Sequence, residues 1–407
     1  MSLLDKKKIP IIAAVCASVA VVGLVVFSSL RPESMGDSGQ GKTLIASQSD
    51  VSEKHIYKKY SDQFMADADI VSPYHEQADV LLAKSYQFDN QKIVSLLFGG
   101  DKTKITKDQF GGTTFDAQDA AGRYVYMGEI HLNYSTKQMH QLALPFENFS
   151  SNEEFVNSIP RYFEVYKKES LSFMTPDEAV NRVKDILKGF GITVSDDVEI
   201  HAIDKETMQE YQDYIIKNDP DMAINYDYKA KLTDDDEFYF LCFNVQENGI
   251  PVTRYNVVSS MKRFINGSNI KVCYSKDGII DFQTDSIYTV KKVDHTAKNL
   301  LTAEQALDKA YEEFTTVYTP AEITVEQMRF EYAPKAYNSN YDEVKLVPVW
   351  SMIVYQKDNN PEADEKRAIK RATEGKVYDE NYHSTYAMNR HVWIIDAETG
   401  DVLKKSI

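Results

Sequence analysis

Met174-Thr175-Pro176-Asp177-Glu178-Ala179 and Leu301-Thr302-Ala303-Glu304-Gln305-Ala306 are two versions of one helix start. In each, a threonine stands at the N-cap, a Glu or Gln three residues on reaches back to the cap backbone, and an apolar residue precedes the cap. Pro176 suits the first helical position, where its missing N–H costs nothing. Apolar spacing continues through Val180, Val183, Ile186 and Leu187 in one copy and Leu307, Ala310, Tyr311 and Phe314 in the other. Both copies therefore predict an amphipathic helix.

Downstream of each helix come runs in which apolar and polar residues alternate, the pattern of half-buried strands. They cover Glu237 to Gln246, Val252 to Met261 and Ile270 to Ser275 in the first copy, and Gln327 to Tyr332, Val344 to Gln356 and His391 to Asp396 in the second. Asn248-Gly249 marks a hairpin between the first two. Both copies also close alike, on Val272-Cys273-Tyr274-Ser275-Lys276-Asp277-Gly278-Ile279-Ile280 and on Trp393-Ile394-Ile395-Asp396-Ala397-Glu398-Thr399-Gly400-Asp401-Val402-Leu403. A spacing far longer than the roughly 20–50 residues of a solenoid repeat points to duplicated domains. Trp350 and Trp393 lie in apolar runs and read as core residues beneath the second helix.

Upstream, residues 53–168 mix Tyr- and Val-rich runs such as Tyr124 to Met127 with a helical candidate at Asn90 to Phe98, and read as a further α+β ectodomain. Residues 31–52 are rich in Ser, Gly, Gln and charge and read as a flexible linker. The stretch from Ile9 to Leu30 carries no charge and as a helix spans about 33 Å, enough for a hydrocarbon core of roughly 30 Å. Lys6, Lys7 and Lys8 precede it and only Arg31 follows closely, which places residues 1–8 in the cytoplasm and the bulk outside. Val26-Phe27-Ser28 offers small residues to a signal peptidase, but the run exceeds the about 7–15 apolar residues of a secretory signal and reads as a retained anchor. The fold expected is α+β: an N-terminal transmembrane helix at 9–30, then tandem domains at 171–293 and 300–407, each a helix packed on an antiparallel sheet.

The chain has 407 residues, 46 Lys plus Arg against 62 Asp plus Glu, and a formal net charge of −16, which repels nucleic acid and anionic headgroups. With Cys16 in the apolar run, Cys242 and Cys273 remain for the ectodomain, too few for a disulfide scaffold. Each lies in a strand of the same copy, which leaves two readings, a cross-strand disulfide or two buried thiols.

Chemistry-bearing patterns are sparse. The histidines, His55, His75, His131, His140, His201, His295, His383 and His391, show no metal spacing, and His131 and His140 fall on an expected hairpin. No Gly-x-Ser-x-Gly elbow, P-loop or Gly-x-Gly-x-x-Gly fingerprint occurs, so hydrolase, kinase and dinucleotide readings lose their usual support. Gly36-Asp37-Ser38-Gly39 sits in the linker, which cannot hold a strained catalytic turn. Asp234-Asp235-Asp236-Glu237, with Asp219 and Asp221 nearby, supplies oxygen donors of the calcium kind but not the order of a calcium loop, and reads as a solvated turn. Tyr378, Tyr382 and Tyr386 offer an aromatic partner surface or, equally, ordinary anchors.

The second copy carries a resemblance. Its Thr-x-Glu-x-Ala helix start, Pro348-Val349-Trp350 strand and Asp396-Ala397-Glu398-Thr399-Gly400-Asp401-Val402 turn look like a PepSY-type module. The tandem arrangement behind an anchor resembles the YycH and YycI extracytoplasmic proteins of Gram-positive bacteria. It covers Leu300 to Ile407 well, Leu171 to Val293 more weakly and the preceding block hardly at all. The resemblance implies a binding, inhibitory or regulatory protein that acts on another envelope or membrane protein. It transfers no catalytic residue and implies no cofactor, and the long insert from Asp358 to Arg390 departs from the group. The alternative is an envelope hydrolase whose Asp and Glu residues come together only in space.

Overall fold

A computed structural model describes residues 54–100, 104–107, 115–128, 131–142, 166–218, 228–258, 264–316, 322–337, 343–357 and 390–404. Ile9 to Leu30, the linker, and Tyr378, Tyr382 and Tyr386 lie outside the described residues. Among those described, no helix is long and apolar enough to cross a membrane.

The elements in chain order are β1 (His55–Lys59), β2 (Phe64–Ile70), β3 (Gln77–Ser85), α1 (Asn90–Leu97), β4 (Lys104–Lys107), β5 (Phe115–Gln118), β6 (Tyr124–Met127), β7 (His131–Ser135), α2 (Pro176–Phe190), β8 (Val194–Ile203), α3 (Lys205–Asn218), β9 (Phe238–Glu247), β10 (Ile250–Pro251), β11 (Val257–Val258), β12 (Phe264–Ile265), β13 (Asn269–Ser275), β14 (Gly278–Asp285), β15 (Tyr288–Lys298), α4 (Ala303–Phe314), β16 (Ile323–Ala336), β17 (Glu343–Gln356), β18 (Arg390–Asp396) and β19 (Val402–Lys404). The protein is mixed α+β, with two antiparallel-rich sheets and few helices. One sheet of eight strands runs β1-β2-β16-β17-β18-β19, with β3 also on β17 and β15 outside β3; the other, of nine, runs β10-β9-β13-β14-β7-β6-β5-β4, with β8 also on β9. A small ribbon, β11-β12, stands apart.

The two helix starts form as their sequences dictate. Thr175 Oγ1 accepts from the Glu178 N–H at 3.3 Å while the Glu178 carboxylate accepts from the Thr175 N–H at 2.9 Å. Thr302 and Gln305 repeat the exchange at 3.3 and 2.9 Å. Gly191, with φ of 86°, ends α2 in the left-handed conformation glycine tolerates best. Thr175→Ala or Thr302→Ala is expected to cost about 1 kcal/mol in denaturant unfolding; no change in either variant would mean that these caps are not formed.

After α2 comes the antiparallel meander β8-β9-β13-β14, and after α4 comes β16-β17-β18-β19, each strand bonded to the next. Val180, Val183, Leu187 and Phe190 of α2 and Ala306, Leu307, Ala310 and Phe314 of α4 are buried in the main core. Strand β9 alternates between two cores. Tyr239, Leu241 and Phe243 face the main one, and Phe238, Phe240 and Cys242 face a smaller one with Met208 of α3. Covering both faces explains why β9 and β13 are buried almost end to end.

Strand pairing cuts across the expected segment boundaries. Of residues 53–168, β1 to β3 join the eight-stranded sheet and β4 to β7 the nine-stranded one. The physical reason is the apolar face of β2: Phe64, Ala66 and Ala68 are buried where β2 runs parallel to β16, Phe64 opposite Ile323. Likewise β15, inside 171–293, leaves that segment's sheet for β3. Of the strand expected over Val252 to Met261, the described residues, which end at Val258, form β11 alone, and the Thr253 N–H donates instead to the Tyr332 carbonyl at 2.7 Å. β8 and α3 had no counterpart in the sequence reading. His131 opens β7, and His140 sits on a short 3-10 turn, Met139–Gln141, rather than on a hairpin.

Candidate functional site

Register across the nine-stranded sheet lines up polar side chains on one face. Glu199 of β8 stands opposite Cys242 of β9, Cys242 opposite Lys271 of β13, Lys271 opposite Gln283 of β14, and Gln283 opposite Asn133 of β7. Side chains opposite one another in adjacent strands share a face. The next row reads His201, Phe240, Cys273, Asp281 and Ser135. A charged strip thus crosses the middle of the sheet.

Arg254, just past β10, reaches into this strip. Its guanidinium donates to Glu199 Oε2 at 3.2 Å and to Asn244 Oδ1 at 3.1 Å, and His201 Nε2 lies 3.0 Å from Glu199 Oε1. Gly267 makes the position accessible: a Cβ there would fall 2.4 Å from the Arg254 carbonyl carbon and 2.5 Å from the Thr253 oxygen. Burial pushes the Glu199 carboxyl up, but the His201 hydrogen bond and the Arg254 charge outweigh it and bring the group down to about 2. Burial pushes the Lys271 ammonium down. Arg329 of β16 donates to Asp197 of β8 at 2.5 Å, and a parallel bridge joins Val252 to Tyr332, so the strip also fastens one sheet to the other. The arrangement neutralises charges within the fold and presents neither a nucleophile with a waiting base nor a paired acid and base.

Two carboxyl groups among the buried residues are pushed the other way. Burial raises Asp281 to about 7, with its Oδ2 accepting from Gln283 Nε2 at 2.9 Å. Burial also raises Glu331, whose Oε1 has no hydrogen-bond partner. Both stand on strands, and nothing in their local sequence distinguishes them from solvated carboxylates. Only the register that turns them inward does so.

Cys242 and Cys273 share a face, but the register sets Cys242 opposite Lys271 and Cys273 opposite Phe240. Diagonal neighbours stand about 7–8 Å apart, beyond the roughly 3.5–4.5 Å between Cβ atoms that a disulfide needs. Both thiols are free and buried, the second of the two sequence readings, and burial pushes each of them up.

The acidic run is organised by cations and a cap. Asp236 accepts from the Thr233 N–H at 2.9 Å and pairs with Lys229, Asp235 pairs with Lys276, and Asp234 with Lys205. Beside it lies an open hollow of about 370 Å³ lined by Lys168, Ser170, Leu171, Ser172, Glu206, Asp234 and Glu237. Lys168 Nζ sits 2.8 Å from Glu206 and 3.4 Å from Glu237, and its hydrogen bond lowers the Glu206 carboxyl below its usual range. A hydrolytic acid needs the opposite environment, one that holds its proton. No group of three metal-ligating side chains occurs among the described residues. Of the histidines, His55 bridges Asp67 and Asp69 at 2.9 and 2.8 Å, and His295 lies between Asp294 and Glu398 at 3.0 and 3.1 Å.

No family model matches the chain, and no curated protein matches it. Among solved structures, an uncharacterised protein from Eubacterium rectale ATCC 33656 is similar with a TM-score of 0.57 at 13% identity, over 87% of this chain and 94% of that one. This likeness shows a shared fold across nearly the whole of both. YycH from Bacillus subtilis is similar with a TM-score of 0.25 at 12% identity, over 73% of this chain and 54% of that one, too low to carry an argument.

Proposed function

We propose that this chain is a membrane-anchored extracytoplasmic protein that binds or regulates another envelope protein, without chemistry of its own. The observation that carries the reading is the uncharged run Ile9 to Leu30, flanked by Lys6, Lys7 and Lys8 and joined by a polar tether to the folded body. In this reading the N-terminus is cytoplasmic and the body lies outside. Two features support the binding class: the pairing of the buried charges with one another, and the recurrence of one helix-and-meander order behind α2 and α4, which we read as duplicated PepSY-like units at 171–293 and 300–407. The wider resemblance to YycH and YycI rests on the residues quoted above and names no partner.

Two measurements test the proposal. The intact mass of the chain in the membrane fraction should include residues 1–30; a mature N-terminus near Ser29 would defeat the anchor. In-cell cross-linking from the body should then capture a discrete membrane or envelope protein, and hydrolysis of an envelope polymer by the purified chain would overturn the non-enzymatic reading.

A further inference from the structure

Among the described residues, β1 leaves one edge of the eight-stranded sheet unpaired. The Ile70 N–H donates to the Lys54 carbonyl at 3.0 Å and the Tyr60 N–H to the Phe64 carbonyl at 3.1 Å, and between them Ile56 stands opposite Ala68 and Lys58 opposite Ala66. Bonded pairs alternate along an antiparallel ladder. Ile56 and Lys58 therefore spend their backbone groups on β2, while His55, Tyr57 and Lys59 direct theirs outward. Among the described residues β1 pairs with β2 alone, and its register has no bulge.

Edge strands are usually guarded by unpaired lysines, prolines or bulges. Here Lys58 is spent within the chain, and Lys59 makes only an exposed surface pair. Lys58 is held at 2.8 Å by both Glu304 and Asp308 of α4, and Lys59 lies 2.8 Å from Asp62. At the centre of the edge Tyr57 is 68% exposed, more than any other large apolar side chain described.

We propose that β1 is a homotypic docking edge, pairing antiparallel with β1 of a second copy about a two-fold axis at Tyr57. The five-residue strand is self-complementary in that register. Tyr57 meets Tyr57 of the second copy and His55 meets Lys59 of the second copy, giving about six backbone hydrogen bonds at two per bonded pair. His55 sits between the carboxylates of Asp67 and Asp69, so each Lys59 approaches a site with a surplus of negative charge. The inference rests on the edge alone and holds whether or not the chain is anchored.

Cysteine cross-linking of the full chain tests it in a Cys16→Ala background, since Cys242 and Cys273 are buried. Bonded pairs bring opposite Cα atoms to about 5.5 Å, inside the range a disulfide spans. Tyr57→Cys should give a dimer-sized band under mild oxidation, and Lys58→Cys, turned toward α4, should give none. His55→Cys and Lys59→Cys chains of different mass should cross-link to each other when coexpressed, and neither should do so alone. Adding Tyr57→Pro to both should abolish that product while unfolding stays unchanged, because the proline removes only an outward N–H. A folded Tyr57→Cys chain that stays monomeric, self-linking by His55→Cys alone, or linkage only to a different protein would each overturn the pairing.

Discussion

Trp350→Ala is expected to lower the unfolding free energy by about 3–5 kcal/mol, a large share of a domain's roughly 5–15 kcal/mol. Trp350 is fully buried on β17, in edge contact with Phe330 at 5.4 Å and stacked on Tyr74 at 6.2 Å. Its indole N–H also donates to the Leu301 carbonyl at 2.8 Å, immediately before the α4 cap. The Leu301 N–H in turn donates to the Ala397 carbonyl at 2.8 Å, so the start of α4 is tied to β17 and to the turn after β18. Truncation removes ring contacts and strands a carbonyl together. Trp350→Phe should separate the two effects: most of the packing remains, and the unpaired carbonyl alone costs about 1–3 kcal/mol. Trp393, 1% exposed and 6.2 Å from Phe64, should behave like Trp350 on truncation. Denaturant unfolding of the whole chain reads all three, and shifts within error for both alanine variants would end the assignment of these residues to the core.

How much of this was legible in the sequence differs by element. Helix starts were, because a capping box is a local device whose partners lie three residues apart. Trp350 and Trp393 were legible as core because each stands in an unbroken apolar run that only a covered strand tolerates. The partition of strands between sheets was not. Nothing near Phe64 signals that β2 will run parallel to β16, since the partner lies some two hundred and fifty residues away and pairing is decided by which apolar faces remain uncovered. β8 was hidden for a related reason: Ser195, Asp196, Asp197 and Glu199 break the apolar alternation, and the charges that pair with Glu199 and Asp197, Arg254 and Arg329, come from distant segments. The thiols show the limit of strand assignment without register. Placing Cys242 and Cys273 in neighbouring strands was sound, yet a two-residue offset separates a disulfide from two buried thiols.

The charged strip supplies the other large effect. Removing one partner of a buried ion pair costs about 3–5 kcal/mol, because the remaining charge loses its compensation without regaining water. Arg254→Ala should therefore destabilise the fold by up to that amount near neutral pH, the pair being part-buried, since Glu199 and the Asn244 oxygen lose their donor together. Glu199→Gln should cost a similar amount by leaving Arg254 uncompensated. The double variant Glu199→Gln/Arg254→Ala should cost clearly less than the two single changes combined, the mark of groups that act as one unit. The sign with pH follows from the direction of the shift. The folded-state value of Glu199 is depressed from 4.5 to about 2, so its contribution is fully present above the unfolded value and is lost as pH falls between those limits. A displacement of that size corresponds to up to about 3 kcal/mol. Wild-type unfolding midpoints measured in denaturant from neutrality down to the acid limit should accordingly fall across that window, and the Glu199→Gln profile should be flatter there. If the two profiles run parallel through the acid range, Glu199 is not held ionised by its neighbours, and the Glu199–Arg254 pair does not act as one unit. In that case Gly267→Ala still reports on the geometry, because a Cβ pressed into the backbone of Thr253 and Arg254 forces that segment to shift whatever the charge state.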